Sequence, residues 1–186
     1  LAAGRALPLA ALPLGHDDLA FLQYTGGTTG VAKGAQLSHG NMVANVLQVG
    51  AWMSPNLNEG RETLILPLPM YHVFALTGAL SFFSQGAQAV LIANPRDMPD
   101  FLKVLGSAPF TAIIGVNTLF RAMLDAPGFA AIDLRPLKLA VAGGMAVQQV
   151  VAHRWKERAG VPLVEGYGLT ETSPVAIANP VTIQEW

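Results

Sequence analysis

The 186-residue sequence contains no cysteine, few charged residues and no hydrophobic run long enough to cross a membrane. The lack of cysteine excludes disulfides and thiolate metal sites, and the four histidines show no metal-ligand spacing. A protein without disulfides fits a reducing cytoplasm. The longest apolar stretch, residues 73–83, is interrupted by Thr77 and Ser81 and is far shorter than the ~20 residues of a transmembrane helix.

Charge is sparse and balanced, with 11 basic and 12 acidic residues and a formal net charge of −1. No run of like charge provides the basic surface that nucleic acid or an anionic membrane requires, so no nucleic-acid partner is expected. What is abundant is apolar: hydrophobic residues make up 52% of the chain and the mean hydropathy is +0.41. These values predict one globular domain with a sizeable core.

Short apolar runs alternate with longer segments of helical period, which predicts an α/β fold with a mostly parallel sheet flanked by helices. The predicted strands are residues 19–25, 63–68, 89–93, 110–116, 137–143 and 161–167. The predicted helices are residues 39–53, 72–85, 97–105, 117–124 and 147–159. For the first helix we expect a cap at Ser38 and a shared face of Val43, Val46, Leu47 and Gly50.

The segment YTGGTTGVAKG, residues 24–34, is rich in glycine and threonine and contains one lysine. We expect it to follow a strand and precede a helix, where backbone N–H groups converge on a phosphate. Lys33 would add a point charge. Spacing excludes a Walker loop, because Ala32 precedes the lysine and Gly34 follows it, and the dinucleotide fingerprint does not fit either. An ordinary glycine-rich turn is the alternative, although it would not call for three threonines and a lysine.

A second cluster, EGYGLTET at residues 165–172, stands at the end of the last predicted strand. Ligands of open α/β sheets bind outside the carboxyl ends of strands, so this cluster and the glycine loop are predicted to face one crevice. Tyr167, between Gly166 and Gly168, offers a flat face for stacking on a base. Glu171 offers an oxygen ligand for Mg²⁺. Taken alone, a tight turn with an exposed glutamate would be the simpler interpretation.

Two further segments carry weaker signals. His72 follows Tyr71 just past a predicted strand, and a single histidine beside apolar residues is more often packed and hydrogen-bonded than catalytic. The segment AGGM, residues 142–145, again places glycines where a strand ends. By itself that signal is weak.

In this order, YTGGTTGVAKG, LPMYHVFAL, AGGM and EGYGLTET resemble the adenylate-forming superfamily of acyl-CoA synthetases, luciferase-like enzymes and peptide-synthetase adenylation domains. The resemblance covers residues 17–180. Within the superfamily, LQYTGGTTGVAKGAQLSHGNM and AVQQVVAHRWKE look most like bacterial long-chain fatty acid:CoA ligases, with Ala32 where most members carry proline.

The resemblance implies that ATP and a fatty acid form an acyl-adenylate and pyrophosphate, and that coenzyme A then displaces AMP. Mg²⁺ is the implied metal, held at Thr25 and Glu171. The implied catalytic residues are Lys33, His72, Thr170 and Glu171. The implied ATP-binding residues are Thr25, Gly26, Gly27, Thr28, Thr29, Gly30, Lys33, Gly143, Gly144, Glu165, Gly166, Tyr167, Gly168 and Thr170. The implied substrate pocket contains His72, Leu76, Gly143 and Gly168, with Leu76 where some relatives place an aromatic gate.

The resemblance also predicts how the chain is organised. Residues 1–16 are a leading segment, and residues 17–186 are the central part of an AMP-binding domain without the mobile C-terminal domain. We therefore expect a piece of a cytoplasmic ligase that is inactive alone; the resemblance allows peripheral contact with the inner membrane and a homodimer in the intact enzyme. Two alternatives stay open: adenylation of another acid, or transfer to a carrier protein, and a non-catalytic nucleotide-binding module.

Overall fold

The fold is seen in a computed structural model that describes residues 10–25 and 31–183. Its strands are β1 (Leu19–Thr25), β2 (Lys33–Ser38), β3 (Thr63–Leu66), β4 (Gln88–Leu91), β5 (Ala112–Gly115), β6 (Leu139–Ala142), β7 (Leu163–Gly168) and β8 (Val175–Ala178). Its helices are α1 (His39–Met53), α2 (Val73–Ser84), α3 (Met98–Ser107), α4 (Asn117–Asp125) and α5 (Gln149–Ala159), with short 3-10 segments at Pro127–Ala131 and Thr170–Thr172. None of the helices in the described part of the chain has the length and apolarity to span a membrane.

A six-stranded sheet with the order β4-β3-β5-β6-β7-β8 forms the centre of the molecule. Strands β3 to β7 are parallel, and only β8 runs antiparallel, beside β7. This confirms the predicted α/β class with a mostly parallel sheet. Five of the six predicted strands belong to this sheet, each shifted or shortened by a few residues, whereas β8 was not predicted.

Helices cover both faces of the sheet, which explains why its strands are apolar at nearly every position. Ile65 and Ile113 pack with α3, α4 and α5 on one face. Leu64 and Ile114 pack with α1 and α2 on the other. Because successive side chains of a strand point to opposite faces, both faces need apolar residues, and each buried Leu or Ile stabilises the fold by roughly 1.5–3 kcal/mol.

The first predicted strand has the predicted bounds but a different place in the fold. β1 pairs antiparallel with β2, with Thr25 opposite Lys33, and the pair forms a separate two-stranded sheet. The prediction that a helix follows the glycine loop is therefore wrong, because β2 comes first and α1 begins only at His39. β2 was missed because Leu37 is the one large apolar residue in KGAQLS, a composition that resembles a loop.

Helix α1 has the predicted bounds and cap. The Ser38 hydroxyl accepts from the Asn41 amide at 3.2 Å, and the Asn41 side chain accepts from the Ser38 amide at 3.1 Å. The predicted shared face is not the buried one: Gly50 is buried and Val46 half-buried, but Val43 and Leu47 are 49% and 65% exposed. The residues that α1 buries are Met42, Asn45, Gly50 and Met53. The helix is apolar on several sides, so its period alone could not select the face that packs against the sheet.

Candidate active site

A cavity of about 710 Å³ opens where β5, β6 and β7 end, between helices α1 and α2. Nine of the residues predicted for the site line it: Thr25, His72, Gly143, Gly144, Gly166, Tyr167, Gly168, Thr170 and Glu171. They come from four separate segments of the sequence. Three of them follow or end parallel strands, whose carboxyl ends lie on one side of the sheet, whereas Thr25 comes from the separate β1–β2 sheet.

Other predicted residues lie elsewhere. Gly26, Gly27, Thr28, Thr29 and Gly30 are outside the described residues. Of the described ones, Lys33, Leu76 and Glu165 are not in the cavity lining.

Each of these three residues has a clear place. Lys33 begins β2 with an exposed side chain, and its carbonyl accepts from the Thr25 hydroxyl at 3.3 Å. Leu76 packs against the small cluster that contains Leu37, under the β1–β2 sheet. Glu165 accepts the Val147 amide at 2.7 Å and so ties the middle of β7 to the segment before α5.

The turn after β7 is held together by close backbone contacts. A Cβ atom on Gly168 would lie 1.8 Å from the Pro174 carbonyl oxygen, so only glycine fits there. The Leu169 amide donates to the Thr172 hydroxyl at 2.9 Å and to the Pro174 carbonyl at 3.2 Å. Ser173 follows at φ 74°, a left-handed conformation that is strained for a residue with a side chain. This compact turn presents the exposed Glu171.

Tyr167 and the paired glycines form the rim and floor of the cavity. Tyr167 is 60% exposed, which leaves its ring available for stacking. A Cβ atom on Gly143 would stand 3.1 Å from the Phe74 ring, and Gly144 adopts φ 77°. The floor is therefore made of backbone, which allows a ligand to approach closely.

His72 caps helix α2. Its Nδ1 accepts the Phe74 amide at 3.2 Å, and its own amide donates to the Pro69 carbonyl at 2.9 Å. The preceding carbonyl, that of Tyr71, accepts from the Gln23 side chain of β1. While Nδ1 accepts this bond, the ring's N–H is at Nε2, so an imidazole that lines the cavity has one donor to offer. The simpler prediction of a hydrogen-bonded histidine and the prediction of a site residue are thus both compatible with this geometry.

Sequence reasoning missed the walls of the cavity that α1 and α2 provide. Polar residues Asn45, Gln48, Thr77 and Ser81 line it, beside an apolar interior. That interior contains Val49, Trp52, Met53, Phe82, Ile114, Leu139 and Val141. The available signal was Asn45 with Gln48, two polar residues three apart in the otherwise apolar part of α1 after Asn41.

The carboxylates available for a metal are few. Among the described residues, no group of three or more His, Cys, Asp or Glu side chains could hold an ion. Glu171 and Thr25 both line the cavity. One carboxylate and one hydroxyl fit Mg²⁺, which takes one or two protein ligands and completes its shell with phosphates and water.

Comparison with known proteins gives the class first. The chain belongs to the AMP-binding enzyme family, whose model matches residues 4–185. Among individual proteins, it is 55% identical over 168 residues to a long-chain-fatty-acid–CoA ligase of Escherichia coli O6:H1, covering 90% of this chain and 30% of that protein.

Two further comparisons agree. The chain is 52% identical over 173 residues to a ligase of the same name from Haemophilus influenzae (strain ATCC 51907 / DSM 11121 / KW20 / Rd), covering 91% of this chain and 31% of that protein. Its fold matches apo MatB from Rhodopseudomonas palustris with a TM-score of 0.78 and 28% identity, over 96% of this chain and 34% of the other. The chain thus spans about a third of the length of the proteins it matches.

Proposed function

We propose that this chain is the nucleotide- and acid-binding part of an ATP-dependent long-chain fatty acid:CoA ligase. The observation that carries the proposal is the single cavity in which Thr25, Tyr167, Thr170 and Glu171 surround a glycine floor in front of an apolar interior. A nucleotide needs the polar and aromatic groups with the glycine floor, and the chain of a fatty acid needs the apolar interior. The 55% identity to a relative of that name supports the long-chain acid as substrate.

The proposed reaction has two steps. The carboxylate oxygen attacks the α-phosphorus of ATP, the bond between the α- and β-phosphates breaks, and pyrophosphate leaves. The thiolate of coenzyme A then attacks the acyl carbon, and the bond to AMP breaks. Mg²⁺ would neutralise phosphate charge, held by Glu171 and Thr25.

The proposal gives tasks to the predicted site residues. Lys33 and the Gly26–Gly30 loop would hold the β- and γ-phosphates, and Tyr167 would stack on adenine. His72 Nε2–H would donate to the carboxylate or to an α-phosphate oxygen. Preorganised donors aimed at developing charge lower a barrier by roughly 2.7–4 kcal/mol each. Removing one should therefore reduce rate more than stability.

Binding of Mg-ATP to this chain, measured by calorimetry, tests the phosphate loop without requiring turnover. Lys33→Ala should abolish the heat of binding because it removes the charge that faces the phosphates. The matched control is Lys103→Ala, an exposed lysine on α3 outside the cavity, which should bind as the unaltered chain does. Equal binding by Lys33→Ala and the control would remove Lys33 from the site.

The acid is tested by ATP–pyrophosphate exchange with the longest native chain that contains residues 1–186. Saturated fatty acids of increasing length should support exchange, and aryl acids should not. Exchange with aryl acids alone would favour the other-acid alternative. If none of the acids supports exchange while Mg-ATP binding is intact, a non-catalytic nucleotide-binding module is favoured.

Several parts of the proposal rest on the family resemblance alone. These are the use of coenzyme A rather than a carrier protein as acceptor, the cytoplasmic location, the peripheral contact with the inner membrane and the homodimer. Acyl-CoA formation with free coenzyme A, followed by chromatography, tests the acceptor directly.

A further inference from the structure

Asn45 is a buried amide on α1 whose two shorter hydrogen bonds go to a strand, while a longer one, from Nδ2 to Gln48 Oε1 at 3.4 Å, stays within its own helix. It is 4% exposed, its Nδ2 donates to the Val175 carbonyl at 2.8 Å, and its Oδ1 accepts the Val175 amide at 3.1 Å. A primary amide carries the same donor and acceptor as a peptide group. Asn45 therefore pairs with β8, the edge strand, as the backbone of a further strand would.

A second buried side chain holds the same segment from α2. Thr77 is 1% exposed, and its hydroxyl donates to the Ser173 carbonyl at 3.2 Å. Ser173 is the strained residue at φ 74°. A strained residue keeps its conformation only when the surrounding structure holds it. Thr77 and Asn45 supply such bonds on either side of Pro174.

The bonds to Ser173 and Val175 affect the cavity because the turn that precedes these residues lines it. The turn Thr170–Thr172 lies directly before Ser173 and presents Glu171. The Glu171 side chain is exposed, so its position depends on the backbone that carries it. That backbone is tied on one side to β7 and on the other, through Ser173 and Val175, to the two helices.

We propose that Asn45 is a positioning residue for Mg-ATP, with Thr77 as its partner. By fixing Val175, it holds the 170–172 turn so that Glu171 and Tyr167 keep their positions at the cavity. The inference rests on the proposed function and goes beyond it, because Asn45 belongs to a different layer of the fold from the motifs that contact the nucleotide.

The test is ATP–pyrophosphate exchange in the longest native chain that contains this sequence. The variants are Asn45→Ala and Asn45→Asp, which keeps the acceptor but places an oxygen against the Val175 carbonyl. The control is Asn56→Ala, which removes a side-chain bond to the Val181 carbonyl just after β8 and lies outside the cavity lining. We expect the KM for Mg-ATP to rise about tenfold or more in both Asn45 variants, as for groups that orient metal ligands, and to stay unchanged in the control.

If the role of Asn45 were merely structural, its substitution would lower the melting temperature and the amount of active enzyme. The apparent kcat would then fall, and the KM for Mg-ATP would stay unaltered. A KM within twofold of the unaltered protein in both Asn45 variants would overturn the inference. If neither folds, Thr77→Val, which is isosteric and removes only the Ser173 bond, should raise the same KM, and an unchanged KM there would count equally against the inference.

Failure of the proposed function is separately visible, because none of the acids tested would then support pyrophosphate exchange by the unaltered protein. In that case amide hydrogen exchange over residues 169–178 of this chain tests whether Asn45 holds this segment in place. Faster exchange in Asn45→Ala than in Asn56→Ala would support it, and equal exchange would overturn it.

Discussion

At the scale of single residues, the glycines of the predicted site have different physical reasons to be glycine. The sequence suggested that Gly166 and Gly168 let a ligand approach closely. The structure shows that Gly168 makes room for the chain's own Pro174 carbonyl, whereas a Cβ on Gly166 would meet nothing closer than 3.9 Å. Two glycines that look equivalent in the sequence therefore tolerate substitution very differently.

We predict that Gly168→Ala destabilises the chain by about 3 kcal/mol, at the upper end of overpacking effects, because the clashing atom is backbone and cannot rotate away. The control is Gly166→Ala, two residues earlier in the same strand, which should change the free energy of unfolding little. Urea unfolding followed by circular dichroism measures both. Equal stability of the two variants would mean that the turn is not packed as described.

At the scale of secondary-structure elements, local signals located α1 but not its packing. The Ser38–Asn41 capping box is a local feature and was readable from the sequence. The burial of Asn45 was not, because it depends on Val175, which lies 130 residues away in the chain. The two missed strands have a different cause: β2 and β8 pair with the strands just before them, β1 and β7, and it is this pairing rather than the composition of their short sequences that makes them strands.

Removing the cap tests the helix directly. Ser38→Ala leaves the Asn41 amide without its acceptor, so we expect the free energy of unfolding to fall by about 1 kcal/mol. Ser54→Ala, at the other end of α1, removes a hydroxyl that bonds to the Ala51 carbonyl in the exposed last turn and should cost less. Chemical unfolding of both variants gives the comparison, and a larger loss for Ser54→Ala would contradict the capping assignment.

At the scale of the whole molecule, an ion pair with one buried partner joins the amino ends of two strands, at the opposite end of the strands from the cavity. Glu62, which precedes β3, is 2% exposed and accepts from Lys138, which precedes β6, at 2.6 Å, and from the Asn58 amide at 2.6 Å. Burial raises the pKa of Glu62, but the hydrogen bonds from Lys138 and Asn58, together with the positive charge of Lys138, outweigh it and hold the pKa below its ordinary value of 4.5.

This pKa shift predicts how stability depends on pH. A carboxyl whose pKa is lowered by folding stabilises the folded state above its unfolded pKa, and the contribution disappears as the pH falls through the folded pKa. We expect Glu62→Gln to lower the free energy of unfolding by about 1–3 kcal/mol at neutral pH, because Lys138 loses the negative charge to which it is bonded. The difference between this variant and the unaltered chain should shrink below pH 4.5.

Free energies of unfolding measured from neutral to acidic pH test this expectation. The matched control is Glu59→Gln, an exposed glutamate in the same loop, which should follow the unaltered chain across the range. A constant difference between Glu62→Gln and the unaltered chain at every pH would show that the Glu62 charge does not contribute.

The sequence by itself determined the α/β class, five strands of the main sheet and the helices to within a few residues. These follow from short-range physics: hydrophobic period, caps and glycine at turns. Only the tertiary structure decided that β1 lies outside the main sheet and that Asn45 and Thr77 line the cavity. It also decided that Gly168 must be glycine because the Pro174 carbonyl oxygen occupies the place of a Cβ atom. Each of these depends on contacts between residues far apart in the chain or on exact backbone paths, which local sequence patterns do not encode.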